Sequence, residues 1–174
     1  GICALIQLRL AEPLDTRLIT GVKRDISLVA QVVPFAPGRV TVLDVSLDKN
    51  RAAVDSLLAA GSRVFYVDHH FPGDSLPDHP NFEALIDTQP NTCTSLLVDH
   101  YLGGRFHNWA IAAAYGDNLN VVAQELASRA GLSSSQAEAL KMLGICMNYN
   151  GYGSILEDLH FHPADLYREF VKYS

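Results

Sequence analysis

The chain has 174 residues, of which 48% are apolar and 18% charged, enough for one compact domain and incompatible with a disordered chain. A net charge of −6 excludes a broad surface for gripping polyanions, but leaves room for small phosphate substrates if a metal supplies local positive charge. Three cysteines (Cys3, Cys93, Cys146) without CxxC spacing exclude a disulfide scaffold or zinc ribbon and predict buried free thiols in a reducing compartment.

The opening run "GICALIQLRL" is densely apolar, as in a helix packed between layers. An α/β domain rarely begins on a helix, so a preceding segment is expected. "TRLIT" (16–20) is a predicted strand, and "DISLVAQVV" (25–33) a predicted short helix stopped by Pro34. "RVTVLDV" (39–45) is β-branched and predicts a strand ending near Asp44. "NRAAVDSLLAAG" (50–61) predicts an amphipathic helix with Asn50 as N-cap and Gly61 as its stop. "SRVFYVD" (62–68) is a continuous apolar run, as in a strand covered on both faces, and "EALID" (83–87) is a further strand after a Pro-rich loop.

This alternation predicts a three-layer α/β/α fold around a mainly parallel sheet of four or five strands. The second half reads as helical. Helices are predicted in "TCTSLLVDHYLGG", "HNWAIAAAYGD", "VVAQELASRAGL" and "SSSQAEALKMLGICM", and "HPADLYREFVKYS" closes the chain. No apolar run reaches the ~18 residues of a membrane span, and the start lacks the basic region of a signal peptide. A cytoplasmic protein with no membrane partner is expected.

In open parallel sheets ligands bind beyond the carboxyl ends of the strands. Two predicted strands end in polar groups there: one at Asp44, the other at Asp68, His69 and His70. Carboxylates alone would repel one another; imidazoles beside them make a donor set for Mn²⁺, Fe²⁺, Co²⁺ or Zn²⁺ more than for Ca²⁺. The competing reading is a turn-capping Asp68 beside two solvated histidines. A third acid, Asp117, follows Gly116 after an alanine-rich helix; local chemistry alone balances a ligand against a helix-end residue there.

Other candidates are weaker. Lys23 and Arg24, after "TRLIT", fall on the same edge and could meet substrate phosphate, or simply be solvated. In "NYNGYG" (148–153), Asn148 or Asn150 could bond a sugar or phosphate and Tyr149 or Tyr152 could stack on a base, against packing roles at a helix end. Thr94 and Ser95 are read as capping residues, His79, His100 and His107 as surface or core residues, and "HFH" (160–162) as a helix N-terminal turn.

Taken in order, "VTVLDVS", "VDHHFPG" and "AAAYGDN" resemble the second, third and fourth motifs of the DHH phosphoesterase superfamily. That group includes RecJ-like exonucleases, small-RNA and cyclic-dinucleotide phosphodiesterases, and manganese-dependent pyrophosphatases. The resemblance covers the whole chain and implies a DHH domain over residues 1–174. The family's first motif, Asp-x-Asp-Gly, is incomplete: "GICAL" is similar to the glycine and helix that follow the two aspartates. This places the first strand and its acids before Gly1, and a DHH-associated domain after residue 174. A rival match would use "LITGVKRDIS", with Lys23 and Asp25 in place of the acids; the number of strands before Asp44 favours the former.

By this resemblance Asp44 bridges two metals, His69 and Asp117 bind one or the other, Asp68 is a ligand or orients an imidazole, and His70 faces the substrate phosphate. Lys23, Arg24, Asn148 and Tyr149 are the substrate-binding candidates. The implied cofactor is Mn²⁺, two ions, with Mg²⁺, Co²⁺ or Zn²⁺ as substitutes. The implied activity is hydrolysis of phosphodiesters in nucleotides or short oligonucleotides by metal-activated water. Alternatives are a pyrophosphatase-type hydrolase and a degenerate, non-catalytic DHH scaffold. Without the upstream aspartates the chain by itself is expected to bind metal poorly and to have little activity. A homodimer is a further expectation.

Overall fold

The computed structural model describes residues 1–173. Three parallel strands form one sheet in the order β1 (Arg39–Leu43), β2 (Arg63–Asp68), β3 (Phe82–Ile86). Val42 stands opposite Tyr66, which stands opposite Ala84, so all three strands point their carboxyl ends the same way. The alternation of side chains then sorts the core. Val42, Val64 and Tyr66 pack on one face against α2 (Leu47–Ala59) through Val54, Leu57 and Leu58. Leu43, Phe65 and Val67 pack on the other against α1 (Ile2–Ala11) and α3 (Thr94–Tyr101) through Ala4, Leu8 and Val98. With both faces covered, β2 is the continuous apolar run its sequence implied.

The second half is helical: α4 (His107–Gly116), α5 (Asn120–Arg129), α6 (Ser134–Tyr149) and α7 (Pro163–Phe170). Ser133 starts α6 with a reciprocal capping box to Gln136. The closing helix ends as a 3-10 turn at Val171–Tyr173, and the last residue of the predicted span lies outside the described residues. The α4–α6 crossing is tight because glycines face each other. A Cβ on Gly116 would sit 2.8 Å from the Gly144 carbonyl oxygen, and one on Gly144 would overlap the Ala112 carbonyl. No helix among the described residues is long and apolar enough to cross a membrane.

Four expectations need correction. The sheet has three strands among the described residues, because residues 16–20 pair with no neighbouring strand. Residues 25–33 form only 3-10 turns, Leu28–Gln31 and Val33–Phe35, since Pro34 removes a donor and the run is too short to repay helix nucleation. Asn50 is not an N-cap: α2 starts a turn earlier, after Ser46, and Asn50 is buried inside it. There its amide donates to the Ile26 and Ser46 carbonyls and accepts from the Val29 amide, tying the 3-10 turn to the helix. Finally, Cys3 and Cys93 are buried free thiols but Cys146 is exposed.

Candidate metal centre

Parallel register brings the ends of β1 and β2 together. Asp44 follows β1 with its amide still bonded to the Val67 carbonyl, and then turns into the left-handed region at φ 66°. Aspartate tolerates that conformation better than most residues. Asp68 closes β2 and is 1% exposed. Asp44, Asp68, His69 and His70 each offer a ligand atom, and these atoms all lie within 4.8 Å of one another. The four side chains form a group able to hold a divalent metal ion.

Each member is held by a partner. His69 Nε2 stands 3.5 Å from Asp44 Oδ1, and His70 Nδ1 lies 2.7 Å from Asp68 Oδ1. The Thr94 hydroxyl at the start of α3 donates to Asp44 Oδ1 at 2.9 Å, and the Gly1 ammonium donates to Oδ2 at 2.6 Å. Asp68 Oδ2 is the exception: it is buried with no hydrogen-bond partner. A buried carboxylate oxygen left unsatisfied costs roughly 1–3 kcal/mol, which a cation at this position would offset. Oxygen and imidazole donors together suit a first-row divalent ion.

The charges interlock. Burial pushes the Asp44 carboxyl upward, but the Gly1 ammonium and the hydrogen bonds from His69, Gly1 and Thr94 outweigh it and hold it well below the usual range. The hydrogen bond to Asp44 raises the His69 imidazole above its ordinary value, with Asp44, Asp117 and Asp68 adding to the effect against burial. Burial pushes the Cys3 and Cys93 thiols beside the site up to about 12, so neither is a thiolate near neutrality.

A linked stability follows, with opposite signs for the two groups. A raised imidazole contributes stability that is fully present below its unfolded value and is lost as pH rises through the folded one. A depressed carboxyl contributes stability present above its unfolded value and lost as pH falls through the folded one. In chelator, wild type is therefore expected to exceed His69→Gln in urea midpoint most between about pH 4.5 and about pH 6. The gap should shrink on raising the pH. A gap that stays constant up to about pH 9 would contradict the coupling.

Asp117 is the exposed C-cap of α4 and lies outside the four-residue group. Its charge nonetheless acts on His69 and on the Gly1 ammonium. Asp117, Asp44, His70, Thr94, Lys23 and Asn148 all border one cavity of about 870 Å³. Lys23 Nζ lies 3.3 Å from the Tyr152 hydroxyl and 4.7 Å from the centre of its ring. Arg24 is exposed and outside the cavity lining. Tyr149 is exposed and stacked on His160 at 6.1 Å, away from that lining. Asn150 is committed to structure, donating to the Phe161 carbonyl and accepting from its amide.

The remaining histidines divide simply. His79 accepts from the Asn81 amide, His162 caps α7 by accepting from the Ala164 amide, and His100 is exposed. His107 is not isolated: its Nδ1 lies 2.7 Å from Asp99 Oδ2, bridging α3 and α4 across the Gly103–Gly104 turn. One contributor to the centre escaped sequence reasoning. Thr94 looked like a cap, yet Cys93 holds the N-cap position and the hydroxyl reaches Asp44 instead; Ser95 is likewise no cap and accepts from Gln7. No family model matches the chain, and neither a curated protein nor a solved structure is significantly similar to it.

Proposed function

We propose that the chain is the DHH-type core of a metal-dependent phosphoesterase acting on nucleotides or short oligonucleotides in the cytoplasm. The observation that carries this reading is the convergence of Asp44, Asp68, His69 and His70 around a buried, unpartnered carboxylate oxygen. Mn²⁺, or Mg²⁺, Co²⁺ or Zn²⁺ in its place, would supply an activated water and neutralise phosphate oxygens when bound. Asp44, Asp68 and His69 would hold the cation, and Asp117, whose charge acts on His69, would complete a second ion's surroundings. Thr94 fixes the Asp44 carboxylate by its hydrogen bond, so the ligand is oriented before metal arrives.

His70, oriented by Asp68 and bordering the cavity, is the group that meets the substrate phosphate. Lys23 and Asn148 border the same space, where an ammonium and an amide bind a phosphate or sugar. Arg24 and Tyr149 take part only if substrate extends beyond the cavity.

The test has two arms on one preparation of the full-length protein. Calorimetry with Mn²⁺ is expected to show binding that disappears in His69→Ala. Incubation with a dinucleotide, a cyclic dinucleotide and pyrophosphate is expected to give Mn²⁺-dependent cleavage of a dinucleotide, abolished by chelator. Cleavage of pyrophosphate alone would move the activity to phosphoanhydrides. Metal binding with no cleavage of any of the three would overturn the hydrolase and leave a binding scaffold.

A further inference from the structure

The last turn of α6 and the loop after it leave aromatic rings in solvent. Tyr149, Tyr152 and Phe161 are 65%, 63% and 62% exposed, and His160 is exposed beside them. Apolar groups scattered singly over a surface are ordinary, whereas several gathered on one short segment mark a binding surface. These rings are also held in place. Asn150 is buried, and its side chain donates to the Phe161 carbonyl and accepts from the Phe161 amide, pinning that segment to the end of α6. The Tyr149 and His160 rings stack, with centres 6.1 Å apart and planes within 18° of parallel. The Lys23 amide donates to the Gly151 carbonyl, and its ammonium lies 4.7 Å from the centre of the Tyr152 ring. Rings fixed in this way lose little freedom when a ligand covers them.

The surface is continuous with the metal cavity. Lys23, Asn148 and Gly151 border that cavity together with Asp44, His70 and Asp117. Asn148 stands on the cavity wall directly before Tyr149, and Lys23 reaches from the same wall to Tyr152. A ligand leaving the metal centre on this side therefore meets one ammonium and then flat rings. That combination suits nucleobases joined by phosphates, because every base has a π-face to stack and the cation meets the backbone. Asp158 in the same loop is turned inward, accepting from the Ser154 and Ile155 amides. With a net charge of −6 on the chain, stacking and not phosphate grip has to carry the affinity.

We propose that Tyr149, Tyr152, His160 and Phe161 form a stacking platform for bases beyond the scissile phosphate. The substrate is then a single-stranded oligonucleotide longer than a dinucleotide. This rests on the phosphoesterase reading of the metal centre and extends it to the length of the substrate.

Fluorescence anisotropy on the full-length protein in chelator, where nothing is cleaved, compares a labelled adenosine dinucleotide with the pentanucleotide. With stacking worth on the order of tenfold per base, the longer probe is expected to bind at least ~30-fold more tightly. Tyr149→Ala and Phe161→Ala should each weaken the longer probe by ~5-fold or more, whereas Tyr149→Phe keeps wild-type affinity. A pentanucleotide made abasic beyond its first two positions should bind like the dinucleotide. Calorimetry with Mn²⁺ is expected to give the same metal affinity in all three variants, which separates loss of the platform from loss of the fold. Equal affinity for the two lengths, or an abasic probe bound as tightly as the intact one, overturns the platform and leaves the rings to a protein partner. Cleavage of the dinucleotide with no gain from length overturns the platform alone. Ring-dependent binding of the pentanucleotide without Mn²⁺-dependent cleavage of either length keeps the platform as a binding surface and overturns the hydrolase.

Discussion

Asp68→Ala is expected to lower Mn²⁺ affinity by about 100-fold or more while leaving the stability of the metal-free chain within about 1 kcal/mol of wild type. The two halves of that expectation have different origins. Affinity falls because a ligand oxygen is lost and because His70 loses the Asp68 contact that orients its ring. Stability barely moves because two effects oppose each other. Losing the hydrogen bond to a half-exposed imidazole costs about 0.5–1.5 kcal/mol, whereas removing a buried oxygen with no partner relieves about 1–3 kcal/mol. Urea denaturation in chelator and calorimetry with Mn²⁺ measure the two separately. A loss of more than about 3 kcal/mol without metal would make Asp68 a structural anchor and not a ligand.

Gly144→Ala should act in the opposite sense, through the scaffold. Its methyl would overlap the Ala112 carbonyl, which is backbone and has no rotamer to yield, so α4 and α6 must separate. A destabilisation of at least about 3 kcal/mol is expected in urea denaturation. Gly38→Ala is the control, since a Cβ there meets nothing within 4 Å. The damage also reaches the cavity: Asp117 follows the last turn of α4, and Asn148 lies one turn beyond Gly144 on α6. Stability equal to the control would mean the helices do not touch at these glycines in solution.

The centre was legible where its chemistry is local to strand ends. "TVLDV" and "FYVDHH" each declare a strand and a polar terminus, and a parallel sheet allows those termini only one shared edge. Asp44, Asp68, His69 and His70 accordingly converge. What the sequence concealed depends on partners far along the chain. Whether "TRLIT" is a strand is decided by a neighbouring backbone at hydrogen-bond distance, and its own β-branched residues say nothing about that. Asn50 looks like a cap because caps and buried amides are the same residue type; only the Ile26 and Val29 backbones distinguish them. The Thr94 hydroxyl had a local use available and took one 50 residues away.

Asp44 answers two demands with unrelated chemistry. Its backbone at φ 66° is tolerated by glycine, asparagine and aspartate, and poorly by other side chains. Its place beside His69 and the Thr94 hydroxyl calls for an anion. Of the genetically encoded residues only aspartate meets both, because glutamate brings the charge without the conformation and asparagine the conformation without the charge. The position therefore separates folding from chemistry without outside help: Asp44→Asn keeps the turn and discards the charge, whereas Asp44→Ala, the customary choice, would confound the two.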